Sequence, residues 1–179
     1  MQSEIQERGS RQVVRWEKPE RGVLKVNVDA AKVKEVGTRL GLVARDEEGR
    51  FVLAVVKRTR VSWEPELTEA QALLWAVRLI SVHARRPTLL ETDFHSLIQK
   101  LDRGEEIETK VGVVVNEIRE LRLERGEIRW RFWGRGGNGA ADEMARAKCK
   151  WEETKMWVDM PLVYILQTLM KDCNGNLPP

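Results

Sequence analysis

Residues 23–59 read VLKVNVDAAKVKEVGTRLGLVARDEEGRFVLAVVKRT, and this stretch decides the fold. At its start apolar and polar side chains alternate, in the order Leu24, Lys25, Val26, Asn27, Val28. A period of two predicts a strand with one buried face. The pair Glu48-Gly49 then separates two further apolar runs, LGLVAR and FVLAVV, and predicts the turn of an antiparallel hairpin. The stretch therefore predicts three antiparallel strands in series.

After this stretch the apolar spacing changes to three and four, which is typical of helices. Residues 65–84 predict a long helix, and residues 88–92 a short buried strand opened by Pro87. A helical pattern then begins at DFHSLIQKLDRG and stops at Gly104. The next segment, KVGVVVNEIRELRLERG, favours a helix, although its valines also allow a strand. EIRWRFWG predicts a strand, and the loop RGGN leads into a last helix, GAADEMARAKCKW.

This order of elements predicts an α/β fold. The later strands follow helical crossovers, so we expect them to lie parallel to the first strand. The result is a mixed five-stranded sheet with helices on both faces. We expect residues 1–15 to be a flexible leader, residues 16–150 to form the domain and residues 151–179 to be an extension.

The composition permits a folded domain and excludes several other classes. The chain has 179 residues, of which 42% are hydrophobic and 33% charged, enough for one compact domain with a solvated surface. The net charge of +3 permits contact with a polyanion without requiring it. Two cysteines, Cys149 and Cys173, are too few for a disulfide scaffold or a clustered zinc site, which favours a reducing, intracellular location, nucleus or cytoplasm. The start of the chain is polar and the longest apolar run covers only 161–170, so we expect no membrane partner.

Four carboxylates stand at the ends of predicted elements. Asp29 ends the first strand, Glu69 lies in the first turns of the long helix, and Asp93 follows the fourth strand. Asp142 lies near the start of the last helix. If the fourth strand returns beside the first, both aspartates project from one sheet edge, where the two helix-borne acids reach them.

A cluster of this kind requires cations, because neighbouring carboxylates repel one another and otherwise take up protons. Magnesium prefers oxygen ligands, and two such ions activate a water and stabilise the leaving oxygen of a phosphodiester. Each acid also has a simpler interpretation. Asp93 suits an N-cap, Asp29 a turn, and Glu69 and Asp142 the positive end of a helix dipole.

Five motifs in order resemble the ribonuclease H-like domain of the plant, retroelement-derived (reverse-transcriptase-associated) type. They are RWEKPERGVLKVNVDAA, GLVARDEEGRFVLA, TEAQALLWAVRLI, ETDFHSLIQKL and WGRGGNGAADEMARAKC. The resemblance covers roughly residues 16–150. It implies a two-metal endonuclease, using Mg²⁺ or Mn²⁺, that cuts the RNA strand of RNA–DNA hybrids.

The resemblance also implies roles for the four acids. Asp29 would contact both ions, Glu69 and Asp93 would hold the ion that activates water, and Asp142 would hold the other. A second interpretation stays open: a catalytically weak or inactive module that binds nucleic acid or protein.

The remaining candidates surround these acids. Arg135 and Asn138 are candidate phosphate or sugar ligands, and Asn138 is equally an N-cap. Ala30 stands where the family has glycine, which puts a methyl group where the backbone approaches the substrate. The loop GRGGNGA lacks the histidine found in many ribonucleases H, and we expect surface or packing roles for His83 and His95.

The extension lies outside the resemblance. Its apolar residues predict a short amphipathic helix, with the members Trp157, Leu162, Ile165, Leu166 and Leu169. That helix packs on the domain, binds a protein partner or mediates self-association, and the sequence does not decide between these.

Overall fold

The structure is a computed structural model that describes residues 14–34, 37–83, 86–103, 108–125, 127–147 and 154–174. Its strands are β1 (Leu24–Val33), β2 (Gly37–Arg45), β3 (Phe51–Thr59), β4 (Thr88–Thr92), β5 (Ile128–Phe132) and β6 (Lys155–Val158). Its helices are α1 (Pro65–His83), α2 (His95–Arg103), α3 (Lys110–Arg125), α4 (Gly139–Arg146) and α5 (Val163–Asn174). A single turn of 3-10 helix, Arg135–Gly137, precedes α4.

The strands form one mixed sheet in the order β5-β4-β1-β2-β3-β6. The pairs β1–β2 and β2–β3 are antiparallel, and β4 and β5 run parallel to β1, as the sequence predicts. The prediction of five strands is wrong by one, because the extension adds β6 antiparallel to β3. The predicted helix there starts later than expected, since Trp157 lies in β6 and α5 begins at Val163. A strand of four residues is too short for its period to be distinguished in the sequence.

One face of the sheet packs against α1, α2 and α3. Leu24, Val26 and Val28 of β1 join the main hydrophobic core there, together with residues of the three helices. The uncertain valine segment is helical in α3, because Val114, Val115 and Ile118 recur at helical spacing and are buried.

The opposite face of β1 is also buried, which the sequence did not predict. Lys25 is 0% exposed and Asn27 1%, although their alternation with apolar residues suggested a solvent-facing side. Lys25 forms an ion pair of 2.9 Å with the buried Glu91 of β4, and the Asn27 amide donates to the same carboxylate at 3.0 Å. The Trp16 indole in turn donates to the Asn27 carbonyl oxygen at 3.0 Å. The buried side chains of Lys25, Asn27 and Glu91 therefore satisfy one another within the chain.

Two helices cover this second face. A smaller core joins Val43, Ala54 and Val56 of the sheet to α4 and to Ile165 and Leu169 of α5. The Thr168 hydroxyl also donates to a carboxylate oxygen of Glu143 on α4 at 2.6 Å. Of the three alternatives for the extension, packing on the domain is the one that α5 adopts.

No helix in the described ranges combines the length and the apolar character needed to cross a bilayer.

Candidate active site

The four predicted carboxylates come together at one cavity. Asp29, Glu69, Asp93 and Asp142 all line a cleft with a volume of about 300 Å³. The three candidate substrate contacts, Ala30, Arg135 and Asn138, line the same cleft. The structure thus assembles every residue that the sequence singled out, while their roles stay predictions.

The parallel pairing of β1 with β4 places the two strand-borne acids side by side. Asn27 of β1 is the register partner of Glu91 of β4. Asp29 and Asp93 each follow two residues later, so they lie on the same side of the sheet. The prediction that Asp29 ends its strand is wrong, because β1 stays paired with β2 up to Val33, whereas Asp93 directly follows β4. The parallel register of β1 and β4 therefore decides this half of the site.

Close packing of α4 brings in Asp142. Asp29 lies opposite Gly41 of β2, and α4 runs directly over that glycine. A Cβ atom at Gly41 would lie 2.5 Å from the Ala145 nitrogen and 2.6 Å from the Ala141 oxygen. Only glycine permits this approach. The buried Arg39 also donates to the Ala147 carbonyl, at the C-terminal end of α4.

Burial and mutual repulsion disfavour the charged forms of two of the acids. The pKa of Asp29 is raised to about 7, first by burial and then by the charge of Asp93, with a smaller contribution from Asp142. The Ala30 N–H, which donates to the Asp29 carboxylate at 2.8 Å, opposes this shift. Burial, followed by the charges of Asp29 and Asp93, raises the pKa of Glu69 to about 8. Both carboxyls are thus poised to exchange protons for a cation.

Arginines hold the other two acids. Arg135 Nε contacts Asp93 Oδ2 at 3.1 Å while its own side chain is 91% exposed. Arg146 pairs with Asp142 one helical turn earlier on α4. The sequence reasoning missed Arg146, although the i, i+4 spacing from Asp142 was a readable signal. Phe94 and Pro65, which also line the cleft, were missed as well and carried no comparable signal.

The donor chemistry of the cleft suits a divalent cation, because hard oxygen ligands are what Mg²⁺ and Mn²⁺ prefer. The side chains do not yet form a ligand shell, since no three His, Cys, Asp or Glu groups in the described part of the chain are arranged to hold a metal ion. In this structure the carboxylates of Asp93 and Asp142 are instead paired with Arg135 and Arg146.

Asn138 does not cap α4 with its side chain. It occupies the N-cap position, but no side-chain cap hydrogen bond forms. Its amide instead donates to the Val28 carbonyl of β1 at 3.0 Å, one residue before Asp29. Its Oδ1 is buried and has no hydrogen-bond partner among the described residues, and the residue itself lines the cleft.

Asp93 does not need a capping role to explain its position. The helix α2 begins at His95, two residues later, and the contact of the Asp93 carboxylate is with Arg135. His95 itself is exposed and packs edge-on against Phe132, with 5.0 Å between ring centroids, in keeping with the expected packing role. The side chain of His83 lies outside the described residues.

The chain matches one protein family over more than half of its length. The protein family described as "Reverse transcriptase-like" matches residues 27–148. No curated protein matches the chain significantly.

Solved structures share the fold at low sequence identity. Ribonuclease H1 from Halobacterium salinarum NRC-1 is 18% identical with a TM-score of 0.61, over 69% of this chain and 95% of that one. The compost-derived LC11 ribonuclease H1, solved in complex with an RNA/DNA hybrid, is 16% identical with a TM-score of 0.59, over 68% and 92%. The foamy viral protease–reverse transcriptase, also solved with a hybrid, is 17% identical with a TM-score of 0.53, over 76% and 22%. The similarity to these three structures concerns the fold.

Proposed function

The chain belongs to the reverse transcriptase-like family, and from that premise we propose that it is a metal-dependent endonuclease that cleaves the RNA strand of RNA–DNA hybrids. The observation that carries the proposal is the convergence of Asp29, Glu69, Asp93 and Asp142 on one cleft of about 300 Å³. Four carboxylates so placed repel one another, and carboxylates with raised pKa values in a cleft are typical of functional sites. A site for cations accounts for them.

The same four residues would hold two ions, Mg²⁺ or Mn²⁺. When bound, the ions supply activation of a water molecule and stabilisation of the charge that develops on the phosphodiester. The raised pKa values of Asp29 and Glu69 support this assignment, because a bound cation favours the charged carboxylates and so opposes both the burial and the repulsion that raise these pKa values.

Residues of the chain itself position the substrate. Arg135 lies at the mouth of the cleft with an exposed guanidinium, and once it leaves Asp93 it is free to bind a phosphate. Asn138 lines the same cleft as a candidate substrate contact, and Ala30 places a methyl group beside Asp29. Two structures of similar fold contain an RNA/DNA hybrid. For this chain we assign a hybrid as substrate, recognised by shape and 2′-hydroxyls.

One arrangement in the cleft favours the alternative, a nucleic-acid-binding or protein-interaction module with weak or no catalysis. Arg135 and Arg146 already neutralise Asp93 and Asp142, which lowers the need for metal. In that case hybrid binding would persist without cleavage.

The deciding experiment is cleavage of a labelled hybrid with Mg²⁺ or Mn²⁺, comparing the wild type with Asp29→Asn. We expect the variant to lose more than about 100-fold in rate, since changing even the groups behind a metal ligand costs 10–100-fold. Glu124→Gln removes an exposed carboxylate of α3 and serves as the matched control. Cleavage that is absent in the wild type, or equal in Asp29→Asn, contradicts the enzyme proposal. Hybrid binding without cleavage would then support the alternative.

A further inference from the structure

Among the described residues, β6 is the last strand of the sheet and its outer edge has no paired strand. In the described part of the chain β6 has a neighbour on one side only, β3. Its sequence and the following residue read KMWVD, residues 155–159. An open edge presents backbone groups to any strand that fits it.

The backbone groups that face this edge belong to Met156 and Val158. The Asp159 N–H donates to the Val52 carbonyl of β3 at 3.1 Å, which identifies Asp159 as a residue that bonds inward. Residues alternate between inward and outward bonding along an antiparallel pair. Met156 and Val158 therefore turn their N–H and C=O groups outward, although the Val158 carbonyl also accepts from Met160 at 2.7 Å.

The side chains of these two residues are apolar and exposed. Met156 is 46% exposed and Val158 55%, and both point to the α1 face of the sheet. With Leu53 and Leu79 they line an open apolar groove of about 520 Å³. A partner at the edge would bury both side chains.

The chemical pattern of the strand is complementary to itself. In an antiparallel pairing centred on Trp157, Met156 of one copy lies opposite Val158 of the other, and Lys155 lies opposite the bend at Asp159, whose φ of 61° ends the strand. The two outward-bonding residues then face each other, and apolar side chains meet on the α1 face. A lysine on an edge strand normally opposes pairing, but here it meets an exposed aspartate. A twofold axis perpendicular to the sheet generates both contacts at once.

We propose that the β6 edge is a self-association surface, at which a second copy of this chain pairs antiparallel through the strand residues 155–158 to form one continuous sheet across a twofold axis. The candidate cleft lies at the far side of β1, away from this edge, so the proposal does not depend on the proposed activity.

Sedimentation of the full chain over a micromolar to submillimolar range tests the proposal. We expect a dimer in the wild type, and at least about tenfold weaker association in Lys155→Glu and in Asp159→Lys, since each change places like charges opposite one another twice. An equal mixture of these two variants restores the complementary charges and should form a heterodimer. Lys171→Glu, an equal charge change on an exposed position of α5, should leave the dimer intact.

A second variant disrupts the proposed pairing without changing a charge, and its folding is checked separately. Met156→Pro removes an outward N–H and no bond to β3, and thermal unfolding of each variant verifies that it folds. A wild type that stays monomeric throughout the range overturns the proposal. So does a dimer that survives both Lys155→Glu and Met156→Pro, or a mixture of the charge variants that fails to associate.

Discussion

The folded protein holds the carboxyl groups of Asp29 and Glu69 in an environment that disfavours their charged forms. Both are raised in pKa, to about 7 and about 8, because they are buried beside further carboxylates. In the unfolded chain they titrate at ordinary values, near 3.8 and 4.5. The folded chain therefore binds more protons than the unfolded chain between these limits, and its free energy of unfolding falls as the pH rises.

This sign gives a prediction for the metal-free protein. Between about pH 5 and pH 8 the melting temperature should fall. Each carboxyl that is protonated in the folded chain and ionised in the unfolded chain lowers the free energy of unfolding by about 1.4 kcal/mol for each pH unit. Asp29→Asn removes one of the two groups, so it should flatten the dependence, whereas Glu124→Gln should not. Calorimetry in the presence of a chelator measures the slope. A melting temperature that rises over this range would contradict the assignment of the shifts.

Two polar residues of β1 are buried, although the sequence pattern predicted that they face solvent. Lys25 and Asn27 look like the solvent side of a half-buried strand, yet both are buried in contact with Glu91. The same network reaches the site, since the Asn27 amide lies 3.3 Å from the Gly137 carbonyl in the turn before α4. A periodic pattern reports which residues are polar, and only packing reports whether they are covered.

Among the elements, α4 packs so closely on the sheet that its position depends on a glycine in β2. It carries Asp142 and crosses β2 at Gly41, where the backbones approach too closely for any side chain. The acid can therefore reach Asp29 only because the strand opposite Asp29 has no Cβ at that point.

Gly41→Ala should separate α4 from the sheet. Overpacking should lower the free energy of unfolding by about 1–3 kcal/mol. The rate of hybrid cleavage should fall by more than this loss of folded protein explains, because Asp142 moves. Urea denaturation and the cleavage assay measure the two effects. Gly139→Ala is the control for stability, since its Cβ would meet nothing nearer than Thr168 Cγ2 at 3.4 Å. Equal stability of the two variants would show that α4 tolerates displacement.

For the molecule as a whole, the extension completes the second layer of helices. Ile165 and Leu169 of α5 cover Val43 and Val56 of the sheet. Arg45, which is buried and stacked over Trp16 at 3.7 Å, pairs with Asp172 of α5 at 2.7 Å. The domain boundary expected at residue 150 stays a prediction, and removal of the extension tests it.

A chain that ends at residue 150 should lose cooperative unfolding, because its sheet would expose an apolar face and the Arg45 guanidinium would lose its carboxylate partner. Asp172→Asn isolates the charge effect and should cost about 3 kcal/mol. Lys171→Gln, its exposed neighbour, should change stability by less than about 0.5 kcal/mol. Chemical denaturation compares all three with the full chain. A truncated chain as stable as the full one would show that residues 16–150 fold alone.

The sequence by itself determined the order of elements, the mixed sheet and the four acids, because period and motif are local properties that residues 23–59, ETD and N-x-x-A-D display directly. It did not reveal the burial of Lys25, the side-chain contact of Asn138 or the sixth strand. Each of these depends on which distant segment covers which face, and no local pattern records that. The tertiary structure decided them, together with the pairing of Asp93 and Asp142 with arginines, since contacts between residues far apart in sequence arise only when the layers pack.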